Sequence, residues 1–511
     1  MSVRSVVALL VCSAFPLAAA EADTGYVAHP DPAGTQTLSV AGSVESYEMR
    51  DGRVTLVARD GACRRITWMP GTSPESRTAS CATAAAPRMV ARSGRTRVQI
   101  QPGPASRPDR LLVKTAYGTR SWPLPERAYH VDVDGRTAIF STRASREVYA
   151  VDLENGRTAL VGLTRFRDTP RLDRHGIVFR DNVYKRREHD GTTLLKFVTR
   201  RHVEAALQRV GRPLRVRGEL ADLAMDGSRV AMAVRDWRGE CDAVVYWNIT
   251  WSYAIPITEE DERTCAWSRR GATIQSVSLA GLRAAWVMRV GSEERLVAAS
   301  SVDCFERLVV TARTARGERL VGHSGDAGRL AYLLTGPSGS TLGNLDGRMR
   351  GQTLATDSDA PLQTAVDGGL VALLLPYGTV RVRTGRGATP RTIDVGLARA
   401  IALHAQQLVT LTEGGTLDVH DIASGRLLRS WPAPAGVQPR LDVHFGVAVL
   451  TSGRKVYVVS LANGRTAVVA RSPTPAIAAI EAPGIAYASP GVRRGTVRFV
   501  PFSRIERLLR D

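Results

Sequence analysis

The chain is poor in lysine, in aromatic residues and in long apolar runs. Lysine occurs only at Lys114, Lys185, Lys196 and Lys455, so a formal charge of +20 rests almost wholly on arginine. Phe, Trp and Tyr make up 6% of residues. They do not interleave with the arginines as base-stacking platforms, which argues against nucleic acid as the partner. No window supplies the ~20 apolar residues that a bilayer-spanning helix needs. Catalytic signatures are missing as well: there is no His-Glu-x-x-His, no Gly-Lys-Ser/Thr phosphate loop and no Gly-x-Ser-x-Gly. Gly322-His-Ser-Gly325 and Gly336-Pro-Ser-Gly339 share only composition with the last of these and read as turns. No quinone, nucleotide or flavin site can be mapped, so neither a cofactor nor a catalytic residue is assigned. His404 and His444 end the first strands of successive units, with His420 between them. They could converge on a central channel as metal ligands, but strand-end histidines more commonly cap turns, and no metal is assigned.

What is present is a repeated hairpin. Asp152-Leu-Glu-Asn-Gly156-Arg157 returns as Asp421-Ile-Ala-Ser-Gly425-Arg426 and as Ser460-Leu-Ala-Asn-Gly464-Arg465, each between two short apolar runs. Asn-Gly and Ser-Gly supply the positive φ that tight hairpins require. Around these turns the copies 128–162, 362–395, 398–431 and 440–470 each divide into four strands, with a period of about forty residues. Thr379-Val-Arg-Val-Arg and Lys455-Val-Tyr-Val-Val alternate, whereas Leu370-Val-Ala-Leu-Leu-Leu is apolar throughout, as an inner strand should be. One such sheet cannot bury both faces, so neighbouring sheets must stack around an axis. The fold class is therefore all-β, a β-propeller.

The Asp-Gly turns at Asp51-Gly52, Asp134-Gly135, Asp226-Gly227 and Asp367-Gly368, together with the three Gly-Arg hairpins, make the chain resemble bacterial WD40-like, TolB-like and YVTN-like β-propellers. Arg426-Leu-Leu-Arg-Ser-Trp431 is similar to the blade-closing strand of quinoprotein-like propellers. The resemblance implies the fold alone. Weaker copies at 43–80, 86–124, 170–217, 220–257, 273–312, 320–355 and 475–509 bring the total to about eleven units, more than the usual four to eight blades of one ring. Two rings are favoured, over 41–217 and, with seven blades, over 218–511; one large or irregular ring is the alternative. The exception to the β pattern is Val203-Glu-Ala-Ala-Leu-Gln-Arg-Val210, whose apolar spacing predicts a connector helix that ends at Gly211.

Arg4, the apolar run Val6–Phe15 and the small residues before Glu21 form a secretory signal over 1–20. A flexible leader is expected over 21–40. Cleavage removes Cys12 and leaves five cysteines for an oxidising compartment, extracellular or periplasmic. In a propeller blade the second-to-third and fourth-to-next-first connections share one face. Cys63 and Cys81 occupy these places in one unit, and Cys241 and Cys265 in another, so Cys63–Cys81 and Cys241–Cys265 are the expected bonds. Cys304 is left over.

The most individual stretch joins Asp236-Trp-Arg-Gly-Glu-Cys-Asp242 with Glu259-Glu-Asp-Glu-Arg-Thr-Cys265, and Trp237, Trp247, Trp251 and Trp267 all fall in this unit. Trp247 and Trp251 read as packing between blades. Trp237, with Arg238 and Glu240, is placed in a loop as a binding surface, and Lys185-Arg186-Arg187 forms a second, basic candidate. The leading expectation is a secreted, non-enzymatic propeller that binds a protein or an envelope polymer through a loop face. A lyase, lactonase or hydrolase with a site at the channel mouth is one alternative, and polyanion binding through the basic surface is another.

Overall fold

The computed structural model describes residues 35–510 except 82–85, 104–108, 143–145, 165–166, 182–191, 251–253, 259–262, 282, 301–305, 327–328, 346–350, 358, 368 and 384–388. Among the described residues the strands form eleven four-stranded antiparallel sheets, the architecture of a β-propeller. They are numbered here in chain order: sheet 1 spans 43–78, sheet 2 spans 90–123, sheet 3 spans 128–163, sheet 4 is built on 171–199, sheet 5 spans 219–256, sheet 6 spans 273–313, sheet 7 spans 319–357, sheet 8 spans 363–394, sheet 9 spans 398–432, sheet 10 spans 442–471, and sheet 11 is built on 477–501.

The repeated hairpins fold alike. In each, the glycine N–H donates to the carbonyl four residues back, as Gly156 to Asp152, Gly425 to Asp421 and Gly464 to Ser460, all at 2.8 Å. Gly156 and Gly464 have φ of 71° and 73°, and a Cβ on either would lie 2.4 Å from the ring of Trp122 or Trp431, which closes the preceding sheet. Glycine is therefore required twice over, by the turn and by the approach of a tryptophan.

Two sheets depart from the expected layout. Sheets 4 and 11 each supply three strands of their own and take the fourth from upstream. Gln36–Ala41 pairs with Thr192–Thr199, Leu38 opposite Leu195, and Leu214–Arg215 pairs with Thr496–Pro501, Leu214 opposite Val497. The leader expected over 21–40 is thus corrected at its end: Leu38 and Val40 alternate inward and are buried. A strand from before the first sheet that completes the last ties the two ends of a sheet series together.

Helix α1, Arg200–Arg209, lies where the sequence predicts it, burying Val203 and Leu207 against sheets 3 and 4. Two short helices that the sequence does not announce are α2, Arg263–Ser268, and α3, Phe502–Arg510. In α3 the buried Phe502, Ile505 and Leu509 recur at helical spacing. These three residues fall within the weak copy expected over 475–509.

The first strands of sheets 5 to 11 pack in succession, and that of sheet 11 packs back on that of sheet 5. In the N-terminal part the first strand of sheet 3 packs on those of sheets 2 and 4, and that of sheet 4 on that of sheet 1. The two parts share one apolar core in which Ile139 and Val148 of sheet 3 meet Val203 of α1, Trp247 of sheet 5 and Phe499 of sheet 11. Within that junction Arg229 and Glu147 form an ion pair, both side chains almost completely buried. The Tyr149 hydroxyl donates to Glu147 at 2.7 Å and lies 3.2 Å from Ser228 Oγ, which also accepts from Asn248 at 3.1 Å. Burial opposes the charge on Arg229 more than any one partner favours it, but Glu147, Tyr149, Tyr246 and Glu126 together outweigh it, and the guanidinium pKa moves up.

Candidate functional site

The first strands of sheets 5 to 11 line a central cavity of about 390 Å³. Its wall is polar, and most of the carboxylates hold one sheet to the next. Asp222 of sheet 5 accepts from the Val277 N–H of sheet 6 at 3.1 Å, and Asp442 of sheet 10 from Ile480 of sheet 11 at 2.9 Å. Gln363 of sheet 8 does the same for Ile401 of sheet 9 at 2.9 Å. Nearer the other end, Asp226 accepts from Gly281 and Asp367 from Ala405. The aspartates of two Asp-Gly turns therefore have a role that the turn motif does not announce: each satisfies a backbone donor of the neighbouring sheet.

Arg440 donates to Asp222 at 2.5 Å and to the Leu223 carbonyl at 2.6 Å. Ser276 Oγ and Ser278 Oγ lie 2.8 and 2.6 Å from the two ring nitrogens of His323, and burial holds its pKa down to about 4. A neutral imidazole, donating through one nitrogen and accepting through the other, suits two hydroxyls. At the opposite end the His404 and His444 rings are 5.2 Å apart and Glu481 is 3.3 Å from His444. His420 is buried in the third strand of sheet 9 and does not line the cavity. Among the described residues no group of three or more His, Cys, Asp or Glu side chains could hold a metal ion.

The other candidate lies at the far ends of the sheets. The first-hairpin ends of sheets 5 and 10 face the N-terminal part: a Cβ on Gly227 would meet Pro125 at 3.7 Å, and Arg110 lies 5.7 Å over the Phe445 ring and 3.6 Å from Glu506 of α3. The strand Arg229–Trp237 starts at this junction. At ~3.4 Å per residue its other end is about 27 Å away. At that end Cys241 is bonded to Cys265; this disulfide and Cys63–Cys81 of sheet 1 both form as expected, each with Cα atoms 5.1 Å apart. Cys241–Cys265 fixes helix α2 against the start of Cys241–Asn248. The Trp286 indole donates to Thr264 at 3.0 Å, and Glu306 accepts from the Thr264 N–H at 2.8 Å. Burial raises the Glu306 pKa to about 7, more than its bonds to Thr264 lower it.

Trp237 is not a loop residue. It ends strand Arg229–Trp237, pairs with Cys241 and packs half-buried on the shared core, with the Arg238 guanidinium 5.3 Å over its ring. The pairing resumes at Trp237 after a register shift past Val234, with Asp236 at a φ of 52°, so the strand runs on through the charged residues. Arg238, with φ of 58°, and Glu240 are exposed in the turn that follows. Lys185, Arg186 and Arg187, Cys304, Trp251 and the signal over 1–20 lie outside the described residues.

No family model matches the chain, and no curated protein matches it. Among solved structures, one titled as the crystal structure of a nidogen/laminin complex is similar at 14% identity and a TM-score of 0.30, over 51% of this chain and 90% of that one. A likeness of that degree carries no argument about function, and the resemblance to bacterial propellers stays at the level of the fold.

Proposed function

We propose that this chain is an exported β-propeller scaffold that binds a protein or an envelope polymer through the loop face carrying Trp237, Arg238 and Glu240. The observation that carries the reading is the Cys241–Cys265 bond, which holds the turn after Trp237 to helix α2 on the face away from the junction. A loop ordered in advance loses less entropy on binding. The cavity gives the enzyme reading less support, because its Asp222, Asp442 and Asp367 are already engaged by backbone N–H groups. Sheets 5 to 11 are taken as a seven-bladed ring and sheets 1 to 4 as a smaller one, on the strength of the two borrowed strands. Export rests on the N-terminal pattern and on two disulfides, which persist in oxidising compartments.

The reading is tested by capture from an envelope fraction with wild-type protein and with Trp237→Ala and Arg238→Ala, each variant first shown to be folded. Capture that falls with both substitutions supports it; capture indifferent to both rejects it. Mass spectrometry of the exported chain should find an N-terminus at Glu21 or Asp23.

A further inference from the structure

The arginines that look dispersed along the sequence are brought together where sheets 10, 11 and 5 meet. Three loops there are joined by backbone hydrogen bonds. Ser472 N donates to the Arg454 carbonyl at 2.7 Å, and Ser472 Oγ contacts Ser489 Oγ, so the turn with Arg454 and Lys455 and the loop after Arg471 adjoin the 489–495 loop. Gly218 N donates to the Arg493 carbonyl at 2.8 Å and Val216 N to that of Gly495 at 3.0 Å. This places Arg215 and Arg217 beside Arg493 and Arg494. Arg238 N in turn donates to the Arg217 carbonyl at 3.3 Å, which brings in the turn that follows Trp237.

The result is an arc with eight cations, against two carboxylates, Asp236 and Glu240, at its Trp237 end. Arg217, Arg238, Arg454, Arg493 and Arg494 are exposed. Among the described residues none of these five has a carboxylate within ion-pair distance. An exposed run of like charge repels itself, and a polyanion relieves that repulsion while releasing its own counterions. The cations are nearly all guanidiniums, whose planar forks suit tetrahedral oxyanions better than an ammonium does. Trp237, at the end of its strand, is the sole aromatic bordering these loops, too little for stacking a run of bases. The arc consists of turns and loop ends, with no helix or β-ribbon projecting to enter a duplex groove.

We infer that this arc binds a linear phosphodiester polymer without bases, of the kind found in cell envelopes. The inference rests on the loop-face reading above and deepens it by naming the partner. It is tested with labelled poly(glycerol phosphate), using polygalacturonate and duplex DNA as comparison polymers, on the full chain. The pair Arg493→Gln/Arg494→Gln should weaken poly(glycerol phosphate) binding about tenfold or more at low salt and flatten the log–log salt slope by roughly 1.4, the share of two phosphate contacts. Arg64→Gln/Arg65→Gln, exposed on sheet 1, should change neither. Equal losses in the two pairs, equal or tighter binding of either comparison polymer, or no binding of poly(glycerol phosphate) at low salt would each overturn the inference. If envelope capture still depends on Trp237 in those cases, the loop-face reading stands without it; if that dependence is lost too, both fall.

Discussion

Arg229 and Arg493 carry the same side chain into opposite settings. Arg229 is buried between the two parts of the molecule, paired with Glu147 and ringed by Tyr149 and Ser228, whereas Arg493 stands exposed on the loop rim of sheet 11. A buried guanidinium without its carboxylate is a charge stranded out of water, and its cost falls on folding. An exposed one is already solvated, so its removal changes little in stability and acts on what approaches from outside. The junction and the rim thus divide the arginines into those that hold the chain together and those left for a partner.

The largest effect should come from breaking the junction. Glu147→Ala leaves buried Arg229 with Glu126, 3.8 Å away and partly exposed, as its remaining carboxylate, and should cost about 3 kcal/mol by denaturant unfolding, with no change in partner binding for the fraction that stays folded. A cost under about 1 kcal/mol would erase the contrast with the rim.

Next come the groups pinned near Trp237. Replacing both Cys241 and Cys265 by serine should cost about 3 kcal/mol through loop closure. Glu306 adds a pH dependence of comparable size. Its folded pKa of about 7 lies above the ordinary value of 4.5, so between those values the folded state holds the extra proton. Stability should therefore fall as pH rises through that window, by at most about 3 kcal/mol, with Glu306→Gln flattening the slope. His323, held down to about 4, works on the acid side. Its contribution is present above the usual histidine pKa and is lost as pH falls toward 4, so its replacement by Gln should reduce acid sensitivity. Chemical unfolding from pH 4 to 8 reads both limbs.

Trp237 falls between junction and rim. Half-buried on the core, its truncation should cost about 2 kcal/mol, less than a fully buried tryptophan. The smallest effect belongs to Arg493→Gln/Arg494→Gln, expected within about 0.5 kcal/mol of wild-type stability. A larger loss would make the rim structural.

Much of the fold is legible in the sequence because the signals are local. The hairpins at Gly156, Gly425 and Gly464, the four strands of 398–432, helix α1 and both disulfides follow from turn chemistry, periodicity and the face-sharing rule of a blade. The borrowed strands Gln36–Ala41 and Leu214–Arg215 do not, because each finds its partner more than a hundred residues away and carries few residues of pattern. Helix α3 is hidden because all but the last of its nine residues fall inside the weak copy over 475–509, where the repeat pattern leads one to look for strands. The candidate site is legible only in part. Trp237 and Arg238 stand out by composition, but the neighbourhood of Arg217, Arg238 and Arg493 exists only after the sheets close on one another. The same holds for the carboxylates of the cavity, whose pairing with the next sheet's N–H groups no single repeat reveals.

The central claim is that the loop rim, and not the cavity, receives the partner. Hydrogen exchange of the chain with and without saturating partner, the captured ligand or poly(glycerol phosphate), tests it most directly. The account predicts new protection in 214–218, 236–241 and 489–495, with the cavity-lining strands unchanged. Protection confined to 276–279, 321–325 and 440–444 would contradict it.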